Sequence, residues 1–369
     1  MTNSKRLQIE VLEDRNCPAI ITTVDFGGNL LIMGTPTSGD LTINVVAPDT
    51  YTVQDGPATF GPALAPGDVF IFLQGNQDNT ITFGLNGNSL SNNLTINTGA
   101  GADQILFPTP GAIRGNLQTT GVNSFTLVSS TISGNVSLFA RNENEINSFT
   151  FFSSQVGGTF TFAGGNGGNV VTFIGSTVGQ RTSLQLGNGF NALNVDATSS
   201  LGGDLFYMGG SDVDSVSLSG SIAGSSMFTL GFGTNTFNLF SSGLASRDLF
   251  VLGGGGTDNV TIAGSVGGSA TFQLGSGMNT LSFIAILPFP NTVSGSGFTY
   301  IGGAGSDNVN FDSDASLANV ILQLGGGADT LTLGNSAAFN SLFGDFGTGD
   351  DDFINLLGFL PTNTRLLNL

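Results

Sequence analysis

One column of residues limits what this chain can fold into. Asn79, Asp103, Asn123, Asn147, Asn169, Asn191, Asp214, Asn235, Asp258, Asn279, Asp307, Asp329 and Asp351 recur along it, and in all thirteen cases the residue two places later is apolar. The twelve steps from Asn79 to Asp351 cover 272 residues, about 22.7 per step. A fixed period of this length marks a repeat architecture, in which each unit buries its apolar face only against its neighbours.

Within each repeat the pattern has period two. Val216/Leu218, Phe237/Leu239 and Val260/Ile262 lie two and four places after the column, with small polar residues between them. Such alternation is that of a strand with one buried face. A second strand is expected before each Gly-rich turn, with Phe228/Leu230, Phe250/Leu252, Phe272/Leu274 and Leu322/Leu324 facing inward. A third apolar point follows, as in Val156, Val178, Leu201, Ile222 and Val266. Three inward segments per repeat predict an all-β fold: a single-stranded parallel β-helix with about 22 residues per coil, roughly 13 coils and capped ends.

The expected boundaries are an N-terminal segment over 1–25, a β cap over 26–70, the β-helix over 71–356 and a C-terminal cap or tail over 357–369. Phe353, Leu356, Leu357, Phe359 and Leu360 are the residues expected to cover the last coil. Gly at 57 positions argues against helix, and 31 Phe suit rings stacked from coil to coil. The Asn/Asp column is expected at the turns, where these residues tolerate left-handed angles and Asn amides bond between coils.

Charge removes several function classes. Eight basic residues against 26 acidic ones give a net charge of −18, with no basic patch for nucleic acid or anionic membranes. The longest apolar run, Phe283 to Phe289, is far short of the roughly 20 residues of a membrane span. Lys5 and Arg6 precede the acidic "IEVLEDR", so no secretory signal is read there. Cys17 has no partner for an intrachain disulfide, and the absence of His excludes nucleophile–His triads. Arg114, Arg141, Arg181 and Arg247 are scattered, and Glu143 and Glu145 beside Arg141 read as a solvated turn. No catalytic residue is assigned, and the expected protein is not an enzyme.

Gly302 to Asn310, "GGAGSDNVN", meets every specified position of the pattern G-G-x-G-x-D-x-U-x and so resembles the RTX-type calcium-binding repeats. The resemblance is partial, because those repeats recur every nine residues and these do not. It implies calcium where consecutive column members are all acidic: Asp307, Asp329 and Asp351, with Asp350 and Asp352 beside them. Carbonyls of Gly303, Gly305, Gly325 and Gly327 would complete an oxygen shell. Upstream, Asn and Asp alternate from Asn191 to Asn279, which separates the carboxylates and leaves no need for an ion.

"RLQIEVLEDRNCPAI" (Arg6 to Ile20) resembles the N-terminal L-E-D-R-x-x-P segment of planctomycete-type exported and cell-surface repeat proteins, with Leu12, Glu13, Asp14, Arg15 and Pro18 fitting. That resemblance implies an extracellular or surface location. The expected function is therefore a structural or adhesive surface protein with glycan or other surface components as partners. The alternative is a calcium-dependent protein that binds or cleaves polysaccharide. Outward Ser, Thr and Asn pairs such as Thr80/Thr82, Ser148/Thr150 and Thr330/Thr332 offer a flat uncharged face for glycan.

Overall fold

The computed structural model describes residues 20–369, apart from 142–145, 241, 285–291, 294–296, 313–314, 336 and 358–359. The described residues are all-β, with no helix, and form a parallel β-solenoid of about 13 turns with about 22 residues per coil. Constant spacing makes this possible, because equal coils bring equivalent residues into register. Asn191 lies beside Asp214 and Leu193 beside Val216. In the next step Val216 lies beside Phe237 and Leu218 beside Leu239.

Through most of the stack each coil adds one strand to a 16-stranded sheet and two to a 26-stranded sheet, and toward the C-terminus the two merge into single strands, Ser316–Gln323 and Ala338–Asp345. In the middle of the stack the second sheet receives a short strand, Ser200–Leu201 then Ser221–Ile222, and a longer one, Leu205–Met208 then Ser226–Thr229. The first sheet receives Asp214–Leu218 and Gly233–Leu239. The inward residues meet in one continuous core. Phe151 lies 5.5, 5.0 and 5.1 Å (ring centroids) from Phe125, Phe160 and Phe173. Phe rings fill a prism whose walls repeat at strand spacing, because offset and edge contacts both fit there.

One inward pair differs from expectation. Leu249 and Val251 are buried, whereas Phe250 is 38% exposed. The register aligns Phe228 with Val251 and Val251 with Phe272, and Met227 with Phe250 on the outer face. In "LFVL" every residue is apolar, so alternation alone leaves the phase of the strand open.

Both ends carry extra strands. Asp40–Ala47 pairs parallel with Thr80–Gly84 and antiparallel with Thr50–Asp55, which pairs antiparallel with Ala58–Leu64. This meander reverses strand direction at the sheet edge and blunts further parallel addition. At the other end Thr364–Leu367 pairs parallel with Ala338–Asp345, so the stack continues into the tail. Phe353, Leu357 and Leu360 pack against the core, but Leu356 is 59% exposed. Phe359 lies outside the described residues.

The interval from Asn279 to Asp307 keeps its short strand, since Val293 pairs with Val266 and with Leu317. Leu287 and Phe289 lie outside the described residues, as does the N-terminal segment through Ala19.

Candidate functional site

The Asn/Asp column forms a buried polar spine. All members from Asn79 to Asp329 are buried, and Asp351 is partly so. They enter or begin strands of the 16-stranded sheet, and none has a positive φ. Left-handed tolerance is therefore not why Asn and Asp occur here; hydrogen bonding between coils is. Asn235 Nδ2 donates to Asp258 Oδ1 (2.8 Å), and the Asp258 N–H donates to Asn279 Oδ1 (3.2 Å). Asn279 Nδ2 then donates to Asp307 Oδ1 (2.9 Å). Asn supplies a side-chain donor and an acceptor while ionised Asp supplies acceptors only. The Asn–Asp alternation is thus a donor–acceptor alternation.

Burial alters the acids. It pushes the Asp214 carboxyl up to about 6, against the opposing effect of hydrogen bonds that include one from the Tyr207 hydroxyl to Oδ1 (2.9 Å). Asp103 and Asp258 are also raised, with desolvation the leading cause. The Oδ2 atoms of Asp103, Asp214, Asp258, Asp307 and Asp329 are buried without a hydrogen-bond partner. Hydrogen-bond donation from the nearby Gly254 N–H works against this rise at Asp258, although Oδ2 has no partner within hydrogen-bond geometry.

The glycines that made the turns resemble a calcium motif have a backbone role. Gly256, Gly277, Gly305 and Gly327, two places before the column, have φ between +127° and +143°. A Cβ on Gly277 would meet the Gly256 carbonyl, and one on Gly305 or Gly327 the carbonyl of Gly277 or Gly305. Coil stacking alone demands glycine here.

Two further ladders escaped the sequence reading. Ser130, Ser154, Ser176 and Ser199 are buried, and each backbone N–H donates to the next hydroxyl oxygen at 3.0–3.3 Å. Their signal was a Ser seven places after Asn123, Asn147 and Asn169. At another corner Asp68, Asn93, Asn116 and Asn135 accept from backbone N–H groups of the following coil at 2.7–3.0 Å. This second Asn/Asp ladder therefore runs opposite in polarity to the spine. The apolar residue that stands two places after every spine member is missing after Asn93, Asn116 and Asn135, which hid it.

The expected calcium ligands divide into two groups. Asp307 and Asp329 are buried in the spine, whereas Asp350 and Asp352 are exposed at the turn that holds Asp351. The Asp307 N–H donates to Asp329 Oδ1 (2.8 Å) and the Asp329 N–H to Asp351 Oδ1 (2.9 Å). Burial raises both inner acids, Asp307 to about 6, and each also feels the next carboxylate. Of the expected carbonyls, those of Gly303 and Gly325 accept backbone bonds from Gly326 and Thr348. The residues fit an ion in part: two orphaned carboxylate oxygens favour it, and engaged carbonyls oppose it. Glu143 and Glu145 lie outside the described residues.

The outer faces carry the exposed chemistry. On the 16-stranded sheet Ser148/Thr150 stand beside Ser124/Thr126, and Ser215/Ser217 beside Thr236/Asn238, all partly exposed. On the 26-stranded sheet Phe206, Met227 and Phe250 form an exposed row, bounded by Ser183 and Thr271 in register. The adjacent row runs Gln185, Met208, Thr229, Leu252, Gln273. The Arg181 guanidinium lies 5.8 Å from the Phe206 ring centroid, in a cation–π contact. Between the rows is a shallow depression of about 200 Å³, lined by residues including Gln185, Phe206, Met208 and Thr229. No family model, no curated protein and no solved structure matches this chain.

Proposed function

We propose that this protein is a non-enzymatic structural and adhesive β-helix of the cell exterior, whose flat outer faces contact glycans. The observation that carries the reading is the exposed row Phe206–Met227–Phe250, beside an adjacent row that has amides, Gln185 and Gln273, at its two ends. Phe206 and Phe250 are two strand spacings apart, about 10 Å, which suits alternate residues of an extended β-linked glycan running along the helix axis. Aromatic rings offer apolar faces to sugar C–H groups, and Gln185 and Gln273 offer donors and acceptors for hydroxyls. The L-E-D-R-x-x-P segment supports the surface location.

The test is co-sedimentation with insoluble neutral and acidic polysaccharides. The double variant Phe206→Ser/Phe250→Ser should bind at least about tenfold more weakly, a loss of about 1.4 kcal/mol, with its melting temperature unchanged. Binding that survives the double substitution moves the contact to another face. A wild-type protein that binds no polysaccharide sinks the adhesive reading.

Calcium dependence is the second reading, favoured by the orphaned Oδ2 atoms of Asp307 and Asp329. Calcium bound only by the folded chain should raise its melting temperature in low salt. Asp329→Asn should weaken that response and Asp258→Asn should not. An equal response in both variants, or none in the wild type, leaves "GGAGSDNVN" as a turn required by stacking.

A further inference from the structure

Asp258 occupies a place in the spine that an ionised carboxylate fits badly. Its Oδ1 accepts from Asn235 Nδ2 (2.8 Å) and its N–H donates to Asn279 Oδ1 (3.2 Å), so both bonds of the alternation are made. Oδ2 is left over, buried and unpartnered. It sits against Gly253, where it and the Leu274 carbonyl oxygen both crowd the position a Cβ would take. Two acceptors therefore face one dry spot.

The Asn169 coil shows what this geometry wants. Asn169 also lies five residues after its glycine, Gly164, and its side chain crowds that glycine in the same way. Its Nδ2 donates to the Leu186 carbonyl of the next coil (2.7 Å). Leu274 stands five residues before Asn279, as Leu186 stands five before Asn191. At Asp258 the donor is missing unless the acid carries its proton.

We propose that Asp258 is a buried proton site, its Oδ2–H donated to the Leu274 carbonyl in the folded chain, and that losing this proton to solvent loosens the middle coils. The polar groups that approach Asp258 are Asn235 at its carboxyl, the Gly254 N–H, and Asn279 at its backbone N–H. Val251 stands where Tyr207 and Tyr300 stand in other coils, so no phenol competes as donor. Among the described residues no charged side chain is a cause of the Asp258 shift, while the Tyr300 phenol feels its charge only as a minor cause.

The sign follows from linkage. Burial raises the folded pKa above that of the unfolded chain, so the folded state holds more protons in the window between them. The stabilisation is complete below about pH 4, the unfolded value, and is lost as pH rises through the folded one.

Carboxyl-carbon NMR of the labelled full chain, together with melts at pH 5 and pH 8, tests this. The Asp258 resonance should titrate above the ordinary aspartate range. The wild type should lose a few degrees of melting temperature between the two pH values. Asp258→Asn should lose less, and at pH 8 should melt no lower than wild type. Asp40→Asn, at an exposed strand end, removes the same charge and serves as the control for a general charge effect. An Asp258 resonance with an ordinary titration overturns the proposal even if the Asn variant does not fold. So does a variant that keeps the wild-type pH dependence.

Discussion

Phe237→Ala should destabilise the solenoid by about 3–5 kcal/mol, whereas Thr236→Ala beside it should cost less than about 1 kcal/mol. Phe237 is fully buried, and its ring meets Phe228 edge-on at 4.8 Å between centroids. Truncation leaves a cavity that cannot collapse readily, since Val216 and Val260 on either side are held in strand register. Thr236 points outward and is only partly covered. Urea unfolding followed by circular dichroism measures both. Similar losses at the two positions would mean that the faces of this strand are assigned the wrong way round.

Gly277→Ala should be at least as damaging, at about 4 kcal/mol or more, although it adds one methyl group at a turn. Two costs combine there. Gly277 has φ +127°, a region that L side chains avoid at about 1–3 kcal/mol. Its new Cβ would also run into the Gly256 carbonyl of the preceding coil, and backbone held by strands on both sides cannot yield. Gly87→Ala separates the two costs: Gly87 has φ +79°, but nothing lies within 4 Å of its Cβ position. Only the left-handed penalty of about 1–2 kcal/mol remains there. Equal melting temperatures for the two variants would refute the close stacking of the glycine column.

Where the reading of the chain succeeded, the signal was local and repeated. Phe237 and Phe311 could be placed inside because polar neighbours alternate with them. Phe250 could not, because Leu249 and Val251 are apolar too, and only the register with Phe228 and Phe272 places it outside. That one reversal creates the exposed row with Phe206 and Met227 on which the glycan contact rests. Similarly, the Asn/Asp column was visible as a period, but its burial was not. Asn and Asp favour exposed turns in most proteins, and here the partners that make burial tolerable come from the coil above and the coil below.

Period and strand character were legible in the residues, and with them the stack, because a constant repeat length forces equivalent residues into register and one buried face per strand forces closure around a core. What the polar column does emerges only when the coils stack. A hydrogen bond such as Asn279 Nδ2 to Asp307 Oδ1 joins residues 28 apart, and an orphan such as Asp258 Oδ2 exists only once Gly253 and the Leu274 carbonyl close around it. Composition lists donors and acceptors, but their pairing depends on where neighbouring coils place them, to within a fraction of an ångström.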